Sequence, residues 1–399
     1  MDSEKKNYNL IPDRINNINL LLKDTIVDSI ISPSQSKDDS IDNPDDIRYA
    51  LSKKNYDIGK VISQLGGKLL YIKSGSTGHT FKGIYPPLEN GDMNPRKSYA
   101  VKIVAYSKKE DYGDMYSVKR PENAELMMIK LLSKFVIDKQ TPHIVLPITT
   151  FNTSIKPFLN LSKNNIIDNK KFDQFLDKHK KNEYYPNVSV LISEWASEGD
   201  LLDYIRKKYK TFKIRHWRTI FFQLLSVLAV IQAKYPDFRH NDLKANNLLV
   251  DSLDTSTKKY KYSINGETYN VPNIGFQIKL WDFDFACIPN IIRNSKVEAD
   301  WTSKININPV QNRYYDVHYF FNTFTRKGFF PEFWTEPEID DKVRKFVRRV
   351  VPEKFASGKN VTEKGRILIN EEYLTPDQIL KEDSFFKVMR ESSYNKDKD

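Results

Sequence analysis

The residues best suited to chemistry in this sequence fall in two short segments. The first is His240-Asn241-Asp242-Leu243-Lys244-Ala245-Asn246-Asn247, with the apolar run Leu248-Leu249-Val250 behind it. The second, Leu280-Trp281-Asp282-Phe283-Asp284-Phe285, follows about 35 residues later. Carboxylates, a carboxamide and an ammonium at this spacing suit phosphoryl transfer. That reaction needs a positioned hydroxyl, metal ions that neutralise the phosphates and a cation on the transferred group, with little covalent help from the protein. Asp242 supplies a carboxylate able to accept the hydroxyl proton. Asn247 and Asp282 supply oxygen ligands of the kind Mg2+ prefers. Lys244, two residues past Asp242, can reach a γ-phosphate. A lone Asp more often caps a helix or a turn. Asp, Lys and Asn at fixed offsets, with a second acidic segment after another apolar strand, set this pair apart from that.

The elements that must hold these segments are readable in outline. The 399 residues, 39% hydrophobic and 29% charged, are enough for a large domain with a real core and exclude a fully disordered chain. A strand-and-turn region is expected from about Ile58 to Val104. Ala124, Met128, Leu131, Leu132 and Phe135 share one helical face, as do Phe221, Leu224, Leu225, Leu228 and Ile231. Val188 to Trp195 reads as a buried strand, and the last third as mainly helical. Strands followed by helices predict an α+β fold with a small, mainly β lobe, a larger α lobe and a nucleotide crevice between them. Residues 1–55 form a polar extension with short apolar patches of helical character at 15–22 and 25–31. Within it, Ser32 to Asp46 reads as a disordered linker. Residues 152–187 read as a surface insertion, 251–275 as a polar loop or hairpin and 389–399 as a polar tail.

A formal net charge of +11 favours acidic partners such as nucleotides. The lysines are scattered among Asp and Asn, the pattern of a solvated surface, and no aromatic-plus-basic motif points to nucleic acid. The one cysteine, Cys287, excludes an internal disulfide and a thiolate metal site and fits a reducing compartment. The N-terminus has no basic-then-apolar signal pattern. Without a run of about 18 apolar residues no membrane span is expected. A soluble, intracellular protein is the expectation.

The two segments resemble the catalytic loop and metal loop of eukaryotic-type protein kinases. The resemblance runs from about residue 58 to 388 and implies a bilobal kinase fold, with an N-lobe at 56–196 and a C-lobe at 197–388. It implies ATP with Mg2+ (Mn2+ as an alternative) and protein substrates. By the match Asp242 is the catalytic base, Lys244 contacts the phosphate, and Asn247 and Asp282 bind metal. Tyr99-Ala100-Val101-Lys102-Ile103 is similar to the strand whose lysine meets the α- and β-phosphates. Glu125, on the following helix, would pair with Lys102, with Glu122 as a substitute. Gly75 and Gly78 fit the glycine-rich loop, although Lys73 stands where its first glycine would be and Thr80 where a valine is usual. Leu191 to Ala196 resembles the hinge. There Ser193 would guard the pocket, Glu194 and Ala196 would offer backbone contacts to adenine, and Asp200 would meet the ribose or cap the next helix. Asp316 fits the aspartate that supports the catalytic-loop backbone. Leu374 to Phe386, with Thr375 as N-cap and Pro376 at the first helical position, resembles the closing helix.

The pattern departs from most kinases at Asn241, where an arginine normally reads a phosphate on the activation segment, so constitutive activity is expected. It departs at Asp284, which replaces a glycine, adds a carboxylate near the metals and restricts the backbone. No Ala-Pro-Glu follows, and 285–313 is short and irregular. These features look like the serine/threonine kinases of poxviruses and other large DNA viruses, which implies action in the host cytoplasm and, if packaged, in the virion. Two other readings use the same residues: a small-molecule kinase of the choline or aminoglycoside type, and an ATP-binding pseudokinase scaffold. Lys244, the Ala-Val-Lys strand with its glutamate and the closing helix weigh against the first. The complete set Lys102, Glu125, Asp242, Asn247 and Asp282 weighs against the second.

Overall fold

The computed structural model describes residues 11–31, 43–75, 77–85, 98–164 and 169–391. Residues 32–42 of the expected linker lie outside them, as do Ser76 of the glycine turn, 165–168 of the insertion and 392–399 of the tail. The extension contributes helices α1 (Ile11–Leu22) and α2 (Ile47–Leu51). The patch at 25–31 is irregular rather than helical. Helix α3 (Ile58–Leu65) occupies the start of the expected strand-and-turn region. Asp57 caps it by accepting from the Lys60 N–H, and Ile58, Val61, Ile62 and Leu65 recur at helical spacing and are buried.

A five-stranded antiparallel sheet follows. It comprises β1 (Lys68–Ser74), β2 (Gly78–Ile84), β3 (Tyr99–Ser107), β4 (Pro147–Ser154) and β5 (Tyr184–Glu194), in the order β1-β2-β3-β5-β4. Alternation along β3 buries Tyr99, Val101 and Ile103 and turns Lys102 to the opposite face. Gly78 is needed for this pairing, because a Cβ there would lie 1.8 Å from the Ile103 carbonyl oxygen. Helix α4 (Pro121–Ile137) joins β3 to β4 and is buried along most of its length. The insertion carries α5 (Asn169–Lys180), whose Phe172 and Phe175 pack with Phe158 around His79 of β2.

The rest of the chain is mainly helical around α7. Strand β6 (Gly199–Asp200) and helix α6 (Leu201–Lys208) precede α7 (Ile214–Lys234). Next come β7 (Leu248–Ser252), β8 (Lys259–Ile264), β9 (Glu267–Pro272) and β10 (Phe276–Leu280). The chain continues through α8 (Asp300–Ser303), α9 (Tyr315–Phe324), α10 (Asp341–Val350), α11 (Glu353–Ala356) and α12 (Pro376–Glu382). Among the described helices α7 alone is long and apolar enough to cross a membrane, but 78% of that stretch is buried inside the protein. It is the core helix of the lobe, and each fully buried apolar side chain on it is worth about 1.5–3 kcal/mol. The polar stretch 251–275 closes as the β8–β9 hairpin, with Tyr262 and Tyr269 against Phe222 of α7. Thr375 caps α12 in a capping box with Gln378, and Pro376 opens the helix.

Candidate active site

The loop between α7 and β7 carries Asp242, and the core fixes its backbone. Buried Asp316 of α9 accepts from the His240 N–H at 2.7 Å and from the Asn241 N–H at 2.9 Å. Asn241 has a positive φ of 63°, a conformation that asparagine tolerates better than most residues. A single turn at 245–247 then brings Asn247 back, so that its Nδ2 donates to both the carbonyl and Oδ2 of Asp242, at 2.8 and 3.0 Å. Lys244 Nζ lies 2.9 Å from the same Oδ2. Two chemically distinct side chains from the same six residues of sequence thus converge on one carboxylate.

The second segment faces the first from the end of β10. His240 Nε2 lies 3.0 Å from the Trp281 carbonyl and ties the two loops together. Asp282 Oδ1 accepts from Lys102 Nζ at 3.1 Å, and Glu125 Oε1 accepts from the same nitrogen at 2.6 Å. Burial opposes the Lys102 charge, but the carboxylates of Asp282 and Glu125 outweigh it, and the lysine pKa is raised. Burial likewise opposes the Asp282 charge, and the adjacent Lys102 holds its pKa down to about 2. Glu122 does not substitute for Glu125; its carboxylate lies 3.3 Å from Arg120 Nε. With both amide hydrogens of Asn247 on Asp242, its Oδ1 remains for a metal. Asp282 Oδ2 remains likewise. Two hard oxygen donors beside a phosphate site fit Mg2+, which keeps most of its shell as water and phosphate. Among the described residues no group of three or more His, Cys, Asp or Glu side chains converges to form an all-protein cage.

Above this lies the glycine turn, closed by the Gly75 N–H donating to the Gly78 carbonyl at 2.7 Å. On β5, Ser193 is buried opposite Ala100. Glu194 N–H donates to the Leu146 carbonyl, and its side chain is held from behind by residues the sequence reading did not single out. Arg14 of α1 donates through Nε to Oε2 at 2.9 Å and through Nη2 to Oε1 at 2.5 Å. Lys279 of β10 lies 3.2 Å from Oε1 and 2.8 Å from Asp251 of β7, whose carboxylate accepts from the Ser197 N–H and hydroxyl. Burial opposes the Glu194 charge, but Arg14 and Lys279 bring its pKa down to about 2. Ala196 is buried between these two anchored positions. Asp200 caps α6 by accepting from the Asp203 N–H at 3.0 Å.

The departures have structural counterparts. Asn241 Nδ2 donates to the Phe285 carbonyl at 3.0 Å, so it ties down the segment after the metal loop directly. The backbone restriction at Asp284 carries no penalty: the positive φ of this loop falls on Asp282, at 62°. The Asp284 carboxylate pairs with Lys296, whose ammonium lies 3.9 Å from the centroid of the Phe285 ring. A further residue of the site is Arg366. Its Nη2 donates to Asp242 Oδ1 at 2.5 Å, and its Nη1 to the Asn241 carbonyl. Nothing local marks that arginine, which lies in a polar stretch 124 residues from the carboxylate it meets.

With this geometry in view, comparison with known proteins is specific. The family described as poxvirus serine/threonine protein kinase matches residues 114–374, which include Glu125, Asp242, Asn247, Asp282, Asp316 and Arg366. A protein of Acanthamoeba polyphaga mimivirus, named as a serine/threonine-protein kinase, is 46% identical over 354 residues, 86% of this chain and 74% of its own. A second mimivirus protein with the same description is 29% identical over 115 residues, 26% of this chain and 29% of its own. Mouse haspin, also named as a serine/threonine-protein kinase, is 32% identical over 82 residues, 21% of this chain and 10% of its own.

Proposed function

We infer the division of labour at this site from one premise: the chain belongs to the poxvirus serine/threonine protein kinase family. It is a serine/threonine protein kinase that takes its phosphoryl group from ATP. The observation that carries the role assignments is the convergence of Lys244 and Asn247 on Asp242, beside the ion pairs of Lys102 with Glu125 and Asp282.

Asp242 orients the acceptor serine or threonine hydroxyl and takes its proton as the oxygen–phosphorus bond forms and ADP departs. Lys244 stabilises the charge on the phosphoryl group in transit. Lys102, aimed by Glu125, meets the α- and β-phosphates. Asn247 Oδ1 and Asp282 would hold Mg2+, with Mn2+ as the alternative. When bound, the metal neutralises charge shared by the β- and γ-phosphate oxygens. Gly75 and Gly78 let the backbone of the turn approach the phosphates closely. Backbone groups of Glu194 and Ala196 receive adenine, and Asp200, besides capping α6, would meet the ribose. We also propose that the enzyme acts in the host cytoplasm and, when packaged, in the virion, which fractionation of infected cells would test.

Transfer from radiolabelled ATP by wild type and Asp242→Ala, offered casein, a basic protein, choline and an aminoglycoside, tests the roles. Phosphoserine or phosphothreonine is expected, reduced about 10²–10⁴-fold by the substitution. A near-normal rate in Asp242→Ala would overturn the assignment of the base.

A further inference from the structure

Asp242 stands between two cations, one from its own loop and one from the far end of the chain. Lys244 and Asn247 hold Oδ2, and Arg366 holds Oδ1. We infer that Arg366 is a positioning residue for phosphoryl transfer, one that fixes the plane in which the Asp242 carboxylate receives the acceptor hydroxyl. The inference rests on the reading of Asp242 as the base.

The guanidinium is pinned on every side. Its side chain is 8% exposed. Nη1 donates to the Asn241 carbonyl and to the Tyr315 hydroxyl, the latter at 3.0 Å. Cζ lies 4.0 Å from the centroid of the Tyr319 ring. A planar fork held in this way transmits its orientation to a carboxylate, which a flexible ammonium does not. The backbone beneath it is equally constrained. Val361 and Ile367 bridge as antiparallel partners, and the Arg366 N–H donates to Thr362 Oγ1 at 2.9 Å. Gly365 turns the hairpin with φ of 86°. Asn322 of α9 donates to the Gly365 carbonyl, and Asn306 of the activation segment to the Ile367 carbonyl, both at 2.9 Å.

An ionised carboxylate has about four acceptor sites. Arg366, Lys244 and Asn247 occupy three and leave one for the substrate hydroxyl. Lys244 also has a task at the phosphate. When its ammonium turns there, Arg366 is the cation that stays on Asp242. Arg366 is walled off from solvent and touches the base but no other predicted catalytic group, so its effect passes through Asp242.

The test measures kcat and KM for ATP and for casein in wild type, Arg366→Ala, Arg366→Lys and Asp242→Ala, with melting temperatures and with added guanidinium ion at low millimolar concentration. Arg366→Ala is expected to lose about 10²-fold in kcat, the cost of a misplaced reacting group, with KM for ATP unchanged. Guanidinium ion should restore part of that kcat saturably and do nothing for Asp242→Ala. Arg366→Lys should fall between wild type and Arg366→Ala. A wild-type or raised kcat in Arg366→Ala overturns the inference. If that variant does not fold, an unchanged kcat in folded Arg366→Lys overturns it. An inactive Asp242→Ala beside an unimpaired Arg366→Ala refutes this inference alone, whereas an active Asp242→Ala removes the base assignment beneath it.

Discussion

Arg239 sits over the ring of Tyr315, its Cζ 3.7 Å from the ring centroid. From there it reaches the activation segment, donating to Asn308 Oδ1 at 2.9 Å and to the carbonyls of Val310 and Asn306 at 3.0 and 2.5 Å. A buried guanidinium thus anchors this segment from within, and Asn241 ties its beginning at Phe285. No phosphate is needed for either contact.

Phosphatase treatment is therefore expected to leave turnover unchanged. Arg239→Ala is expected to lower kcat and to make 285–313 more susceptible to limited proteolysis, because it removes three side-chain hydrogen bonds that hold residues 306–310. Activity that disappears on dephosphorylation would contradict this anchoring.

Lys102 joins helix α4 to the metal loop through Glu125 and Asp282. Lys102→Met is expected to cut kcat by about 10²–10³-fold, the usual loss when one preorganised charge at a phosphoryl group is removed. A circular-dichroism spectrum and melting temperature close to wild type would show that the fold survives.

Three buried histidines make the fold sensitive to acid. Burial lowers the pKa of His79 to about 4, of His318 to about 4 and of His143 to about 3, and Arg14 and Lys279 add to the effect at His143. In the unfolded chain such rings titrate near 6.5. Between roughly pH 4 and 6.5 the unfolded chain therefore binds more protons than the folded one, and stability falls as pH drops through that window. Each ring contributes up to about 1.4 kcal/mol per pH unit. Urea unfolding at pH 7.5, 6, 5 and 4.5 measures the slope, and His143→Asn should flatten it. A stability independent of pH over this range would show that these rings are not held neutral.

Arg14→Ala tests whether α1 belongs to the nucleotide site. It removes the bidentate partner of Glu194 but leaves Lys279. A loss of about 3 kcal/mol in stability is expected, from the range for breaking a buried ion pair. KM for ATP should rise more than kcat falls, since the affected residue lies at the hinge and away from Asp242. An unchanged KM for ATP would confine α1 to a structural role.

What could be read beforehand was what is local. Asp242, Lys244 and Asn247 are packed into six residues, and a short loop has few ways to arrange them. Lys102 was visible as a lysine in a strand of alternating burial, and Thr375 and Pro376 mark a helix start by their own chemistry. Helix α3 is hard to see in the sequence because its apolar residues at 58, 61, 62 and 65 run into Gly66-Gly67 and a strand, which hides a two-turn period. Lys279 left a faint signal, a lysine inside the otherwise mainly apolar run 276–280. Arg14 and Arg366 left none. Each lies in polar sequence, and each acquires its partner only when distant segments pack together.

Arg14 and Glu194 are 180 residues apart. On a ribosome adding roughly 5–20 residues per second, the first helix waits roughly 10–40 seconds before its carboxylate partner is made, and longer for Lys279. Helix α1 is thus made well before the hinge it packs behind, and it closes the back of that hinge like a latch supplied in advance. A translation product stopped short of Lys279 cannot complete that closure. Helix α1 of such a product is expected to be cleaved by proteases more readily than α1 of the finished chain.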